Sequence, residues 1–393
     1  MSRSGIRGHS PIQEIRMKIV IASDSFKGSL TSREVADAFE EGLRLHLPHC
    51  EVVKVSIADG GEGTVAALIE TLGGEYINVE VSDPLGRPIT TRYGIIKDGT
   101  TAVIEMSAAS GLPLLSKEER NPMLTTTYGT GEIIADAIQR GCRKFLIGIG
   151  GSATNDAGVG LLHALGFRFL DGNGNTLIGG GEILEKIHKI DDSQARKELS
   201  ECEFIVACDV TNPLYGKQGA AYIFAPQKGA TLEMVEQLDL GLRNFARVVE
   251  GFNGSHIATM EGAGAAGGLG GGVFAMFNAR LIRGIDMVLE AIDFDHIIES
   301  CDLVVTGEGR LDKQTVMGKA PSGVLATALK QGIPTIAIGG GIVWCDELQN
   351  SDFTAIEEVT PEGMSLEEAM QPAIAKKNIS YTAERIAKKL ESI

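Results

Sequence analysis

Residues 18–43 read KIVIASDSFKGSLTSREVADAFEEGL, and this stretch decides the fold class. Lys18–Ser23 is a short apolar run, suited to a strand buried on both faces. Asp24–Leu30 is polar and turn-like. Thr31 then opens a helix, because Thr followed three residues later by Glu34 forms a capping box. Val35, Ala38, Phe39 and Leu43 fall on one face at helical spacing. The pattern repeats at once, with a strand at Glu51–Ile57, the turn ADGGEG, and a helix from Thr64 to Leu72 that Gly73 can stop. Strand, loop and helix in alternation is the grammar of a doubly wound α/β fold.

The same grammar returns late in the chain. Asp302–Thr306 and Pro334–Ile338 read as strands ending in GEGRLD and GGG, with a helix at Ser322–Gln331 between them. In the middle, strands at Ala102–Met106, Phe145–Ile149 and Phe204–Cys208 are separated by turn-rich stretches. The expected fold class is therefore α/β, with two α/β domains. One is a discontinuous Rossmann-like doubly wound domain built from residues 17–84 and 285–393. The other is an inserted mixed α/β domain of residues 85–284. Residues 1–16 hold three arginines and no apolar core, and read as a leader or appended extension before Met17.

Composition narrows the function. The 393 residues are 43% hydrophobic, enough for sizeable cores. Against 52 Asp and Glu stand 36 Lys and Arg, a net charge of −16. That balance argues against nucleic acid or an anionic membrane as a partner. The uncharged run 262–279 is too rich in glycine for a membrane helix. Six scattered cysteines without a C-x-x-C pair suit reduced thiols in the cytoplasm and not a structural zinc site. Glycine is the outlier at 50 residues. Half of it falls in the windows 60–63, 148–160, 172–181, 262–272, 307–309 and 339–341, most of them after a strand. Loops at the carboxyl edge of an α/β sheet bind ligands, and glycine lets backbone N–H groups approach an anion.

The Walker A spacing and the protein-kinase motifs are absent. Gly148-x-Gly150-x-x-Ala153, with Asp171 further on, has the outline of a dinucleotide fingerprint, so an NAD-dependent dehydrogenase of a small hydroxy acid is one alternative. A non-catalytic hydroxy-acid-binding protein is another. The polar residues inside the glycine loops fit phosphoryl transfer better, since that reaction needs carboxylates, cations and phosphate donors together. Asp24, Ser25 and Lys27 lie in DSFKGS, Asp59 and Glu62 in ADGGEGT, and Ser152, Thr154, Asn155 and Asp156 in GGSATND. Asp209 follows the Phe204–Cys208 strand, and Glu308, Arg310 and Asp312 lie in GEGRLD.

Taken in order, DSFKGSL (24–30), ADGGEGT (58–64), TTTYGTGE (125–132), GIGGSATNDAG (148–158) and GEGRLD (307–312) resemble the signature of the bacterial type I glycerate kinases. The resemblance runs from Met17 almost to the C terminus. It does not extend to the plant-type enzyme with a Walker loop or to the other bacterial glycerate kinase family. It implies ATP-dependent phosphorylation of D-glycerate to 2-phosphoglycerate with Mg²⁺, in a cleft between two α/β domains. The implied partners are small molecules, and the protein is expected as a monomer or homodimer. Lys27 and Arg310 are the candidates for the glycerate carboxylate and the moving phosphoryl group, and Asp59 for orienting or deprotonating the attacking hydroxyl. Asp24, Ser25, Gly60, Gly61 and Glu308 are expected around the substrate. Gly150, Gly151, Ser152, Thr154 and Asn155 are expected on the ATP phosphates, with Asp156 or Asp209 towards Mg²⁺. Asp156 also reads as a helix N-cap. The tract 262–272 reads as a second phosphate loop or an interdomain hinge, and His163 and Trp344 as packing residues.

Overall fold

Alternation along β1 (Lys18–Ser23) sends Ile19 and Ile21 to one face of a sheet and Val20 and Ala22 to the other, and both faces are covered. In the computed structural model, which describes residues 17–391, β1 lies inside a five-stranded parallel sheet. Its companions are β2 (Glu51–Ser56), β11 (Leu303–Leu311), β12 (Thr335–Ile342) and β13 (Ala355–Glu358), in the order β13-β12-β11-β1-β2. Helices Ser32–Leu43 and Pro372–Glu391 cover the Ile19 face through Val35, Phe39, Ile379 and Ala383. Helices Thr64–Leu72, Gly284–Ala291 and Ala320–Lys330 cover the Val20 face through Leu68, Ile285 and Val324. The expected capping box is present: Thr31 Oγ1 accepts from the Glu34 N–H at 3.2 Å, and a Glu34 carboxylate oxygen accepts from the Thr31 N–H at 3.0 Å.

Counted within this sheet the strand order is 2-1-3-4-5, the flavodoxin-like order of a doubly wound sheet. The winding reverses between β1 and β11. The carboxyl ends of those two strands therefore bound the crevice where such sheets bind ligands. The leader read at residues 1–16 lies outside the described residues.

A second sheet holds β3 (Gly74–Ser82), β4 (Pro88–Ile96), β5 (Thr101–Glu105), β6 (Lys144–Gly148), β9 (Glu203–Ala207) and β10 (Arg280–Ile282), in the order β10-β9-β6-β5-β4-β3. β3 and β4 form an antiparallel hairpin, β4 meets β5 antiparallel, and the rest are parallel. β3 falls within the 17–84 segment, yet its hydrogen bonds are made in this second sheet. β7 (Arg168–Leu170) and β8 (Lys189–Asp191) pair separately.

The two sheets share a core. Val103, Leu146 and Ile205 of the second pack with Val20, Ala22 and Ile285 in one buried cluster. At their junction the backbones touch: a Cβ at Gly284 would lie 1.8 Å from the Asp59 carbonyl oxygen, and one at Gly148 would lie 2.2 Å from that of Gly60. Only glycine fits such an approach.

Two glycine windows read as loops are strand. β11 runs through GEGRL and β12 through GGG, and the two stay paired as far as Leu311 and Ile342. The tract 262–272 is neither an open loop nor a free hinge. It enters helix Ala265–Phe277 through a left-handed kink at Ala266, Gly267 and Gly268, and it is largely buried. The Gly267 carbonyl accepts from the Ala157 N–H at 3.0 Å, so the tract packs backbone to backbone beneath the 148–158 loop. All six cysteines are free, and no helix among the described residues is long and apolar enough to cross a membrane.

This packing sets a contrast in stability. A Cβ at Gly272 would meet the Ala157 carbonyl oxygen at 2.0 Å, whereas Gly251, exposed near the end of helix Leu232–Asn253, has open space around it. Gly272→Ala is expected to lower stability by about 2 kcal/mol or more. Gly251→Ala is expected to raise it by about 0.5–1 kcal/mol. Urea unfolding midpoints of both variants measure the difference.

Candidate active site

The turn that follows β1 is tied to β11 where the winding reverses, the Asp24 N–H donating to the Gly307 carbonyl at 2.9 Å. Two cavities open beside this seam. The larger, of about 490 Å³, lies between the sheets and is walled by Asp59–Gly61, Gly150–Ser152 and Asp209. The smaller, of about 340 Å³, lies over the first sheet and holds Asp24, Ser25, Glu308, Arg310 and Lys319. Lys27 is the one residue that lines both.

Lys27 Nζ lies 3.5 Å from Asp59 Oδ2. Asp59 follows the end of β2, where its Oδ1 accepts from the Gly61 N–H at 3.3 Å and its carbonyl abuts Gly284. Asp209 follows β9 and accepts from the Gly284 N–H at 2.9 Å, so one glycine backbone locates both carboxylates. In the smaller cavity Glu308 accepts from Thr315 Oγ1 at 2.7 Å, and Lys319 Nζ lies 3.6 Å from its other oxygen. Arg310 is loosely paired with Asp312 at 3.6 Å and largely exposed.

Electrostatics make this a strained acidic cluster. Burial, then the nearby Asp59 charge, pushes Asp24 up to about 7. Burial likewise raises Glu308 and Asp209. Burial pulls the Lys27 ammonium down, but Asp59 and Asp24 outweigh it and hold Lys27 above the ordinary lysine value. Lys27 is therefore a fixed positive charge among carboxylates. Shifted groups of this kind, converging in a cleft, mark functional sites.

Most of the residues anticipated from sequence converge here, with two corrections. Gly60 and Gly61, expected around the substrate, wall the larger cavity with Gly150, Gly151 and Ser152. Thr154 and Asn155, expected on phosphates, are fully buried and do not line either cavity. Their backbone is pressed against Gly267, where a Cβ would lie 2.1 Å from the Thr154 carbonyl oxygen. Asp156, expected towards Mg²⁺, is also fully buried. It accepts from the Thr127 N–H and hydroxyl at 2.8 Å each and from the Gly158 and Gly160 N–H groups at 3.2 Å, at the entry to helix Val159–Ala164. Its oxygens are spent on holding the loop, and the N-cap of that helix is Gly158 and not Asp156.

The dinucleotide outline also fails on geometry. Asp171 opens a tight turn, accepting from the Asn173 and Asn175 N–H groups, beside the separate β7–β8 pair. It is not at the end of a strand next to β6, where a ribose-binding acid would stand. Trp344 is 52% exposed and does not pack as anticipated, whereas His163 is half-buried with Nδ1 3.2 Å from the Phe167 carbonyl. One lining residue has no signal in the sequence: Lys228, in the turn PQKG, is buried in the wall of the larger cavity.

Known proteins resemble this chain along its length. The sequence model of the glycerate kinase family matches residues 19–391. A glycerate kinase of Bacillus subtilis is 46% identical over 358 residues, covering 91% of this chain and 94% of the relative. A glycerate 2-kinase of Escherichia coli K12 is 47% identical over 326 residues, covering 83% and 86%. A crystal structure provisionally assigned as glycerate kinase 2 of Salmonella typhimurium LT2 superposes with a TM-score of 0.88 at 44% identity, covering 96% of this chain and 99% of that one.

The raised Asp24 carboxyl has a cost in stability. Its folded value lies above its unfolded one, so the stabilising share is fully present below about 3.8 and is lost as pH rises through about 7. Asp24→Asn removes the buried charge and is expected to stabilise the protein at pH 8, by at most on the order of 4 kcal/mol. The gain should shrink as pH falls towards 4. Thermal unfolding of both proteins across that range is the check, and a variant less stable at pH 8 would contradict the burial argument.

Proposed function

Because the chain belongs to the glycerate kinase family and is an enzyme that phosphorylates glycerate, we propose that the nucleotide occupies the larger cavity and glycerate the smaller, with transfer at Lys27. A kinase of this family implies ATP as co-substrate. The position of Lys27, shared by both cavities and paired with Asp59, is the observation that carries this arrangement.

The Gly150–Ser152 loop offers backbone N–H groups and a hydroxyl to phosphates, while Leu112, Ile149 and Phe224 supply an apolar wall for a base. Arg310 and Lys319 suit the glycerate carboxylate, and Glu308 and Asp24 suit its hydroxyls. The attacking hydroxyl oxygen forms a bond to the γ-phosphorus as the bond to the ADP oxygen breaks. Asp59 orients that hydroxyl and takes its proton. Lys27 stays charged throughout and stabilises the charge on the moving phosphoryl group.

Mg²⁺ bound through nucleotide phosphates needs only one or two protein carboxylates, and Asp209, on the larger cavity, is a fitting donor. When bound, the ion would neutralise charge on the phosphate oxygens. Among the described residues no group of three or more His, Cys, Asp or Glu is placed to hold a metal. The stereochemistry and product we assign are D-glycerate and 2-phosphoglycerate. Support for the product comes from the 47% identity to the Escherichia coli glycerate 2-kinase. The enzyme is assigned to the cytoplasm.

Purified protein with D-glycerate, ATP and Mg²⁺ should release ADP only when glycerate is present. Lys27→Met and Asp59→Asn should each lower kcat by about 100-fold or more while leaving the circular dichroism spectrum intact. Near-normal turnover in either variant would remove that residue from the mechanism. Proton NMR of the product should show phosphorus coupling at the C2 proton, and coupling at the C3 methylene would reassign the product to 3-phosphoglycerate.

A further inference from the structure

Lys228 is a cation that the transfer scheme above leaves unused. It closes the short turn Pro226–Lys228, is only 2% exposed, and forms part of the wall of the larger cavity. Its Nζ donates to Ser152 Oγ and to the Thr154 carbonyl, each at 2.7 Å. An ammonium has three N–H donors, so one remains. Among the described residues Lys228 makes no direct ion pair with a carboxylate, and the only charge that opposes its burial is that of Asp156, beneath the loop. Burying a charge in that way is strongly unfavourable unless something compensates it.

The compensation is legible in the loop above it. Because Ser152 Oγ accepts from Lys228, its own hydroxyl hydrogen is left to donate, and Ser152 lines the cavity beside Gly150 and Gly151. We infer that Lys228 is a positioning residue for the nucleotide: it acts through Ser152 and supplies the positive charge that the Gly150–Ser152 loop needs to hold a phosphate. This rests on the placement of the nucleotide in the larger cavity. Burial pulls Lys228 down to about 7, opposed by the field of Asp156 beneath the loop. Arg120 packs against the adjoining Gly229, and Lys27, Asp59 and Asp209 stand on the cavity wall. An arriving phosphate favours the charged lysine, so binding draws in a proton at pH values where the free lysine is largely neutral.

The test is calorimetric titration of the full chain with ADP at pH 8 in two buffers of different ionisation enthalpy. Nucleotide phosphates are already deprotonated there. The unaltered protein should take up a substantial fraction of a proton per ADP. Lys228→Met should bind ADP at least tenfold more weakly with no proton uptake, while Ser152→Ala weakens binding and keeps the uptake. A lysine that only ties two loops together would not produce this proton signature. Wild-type affinity and uptake in Lys228→Met overturns the inference. Should that variant fail to fold, ADP affinity of the unaltered protein between pH 6 and 9 decides: it should weaken as pH rises, and a flat profile overturns the inference. Gly150→Leu separates the two levels, because a Cβ at Gly150 has only Gly61 near it, at 3.9 Å. If Gly150→Leu abolishes ADP binding and Lys228→Met does not alter it, only the role of Lys228 falls. If neither variant alters it, the placement of the nucleotide falls with it.

Discussion

The contact on which this molecule depends is made of backbone alone. Gly60, Gly148 and Gly284 come from three separate parts of the chain and meet with no space for a Cβ between them. That approach brings the turn after β2, the end of β6 and the entry of helix Gly284–Ala291 to one point. Three consequences follow from it together. The carboxyl edges of two sheets face one another, Asp59 and Asp209 are both pinned through Gly284, and the Gly150–Ser152 loop is placed opposite Lys27. Interiors are packed too tightly to absorb even one added methyl at such a place, so the site geometry is inherited from the junction and not adjusted locally.

Charge is arranged against the general trend of the surface. A protein of net charge −16 that handles two anions must concentrate cations locally. Lys27, Arg310, Lys319 and the buried Lys228 gather on the walls of the two cavities, each set near carboxylates or hydroxyls that orient it. Bringing Asp24, Asp59 and Glu308 this close to one another works against folding. Functional sites commonly carry such strain, which the surrounding cores must offset. Here those cores are the apolar faces on either side of β1.

Much of the fold was legible because its signals are local. β1, β2 and the capped helix Ser32–Leu43 are written in short apolar runs, helical spacing and one Thr–Glu pair, and the strands of the middle segment follow the same rule. The β3–β4 hairpin was missed because its alternating polar residues lie on a sheet edge and carry no continuous apolar run. GEGRL reads as a loop because glycine and charge usually mark one, yet Gly307 is small to clear Ile338 of the neighbouring strand, a demand made by a residue 31 positions away. In the site, residue type was informative and orientation was not. Ser152 and Asp156 look equally suited to phosphate chemistry in GGSATND, but one faces a cavity and the other is consumed by the Thr127 and Gly160 groups behind it. Lys228 was invisible for the same reason, since nothing in PQKG announces burial.

The division of the first sheet between the two ends of the chain has a consequence for synthesis on the ribosome. β1 and β2 emerge early and can pair with each other, but β11, the partner on the other side of β1, begins at Leu303. At about 5–20 residues per second, β1 waits on the order of ten seconds to a minute with one edge unpaired and each apolar face only partly covered. The six-stranded sheet, whose strands end at Ile282, is translated within that interval. A nascent chain of this design is thus most exposed to mispairing at its first strand, at the time when its middle is able to fold.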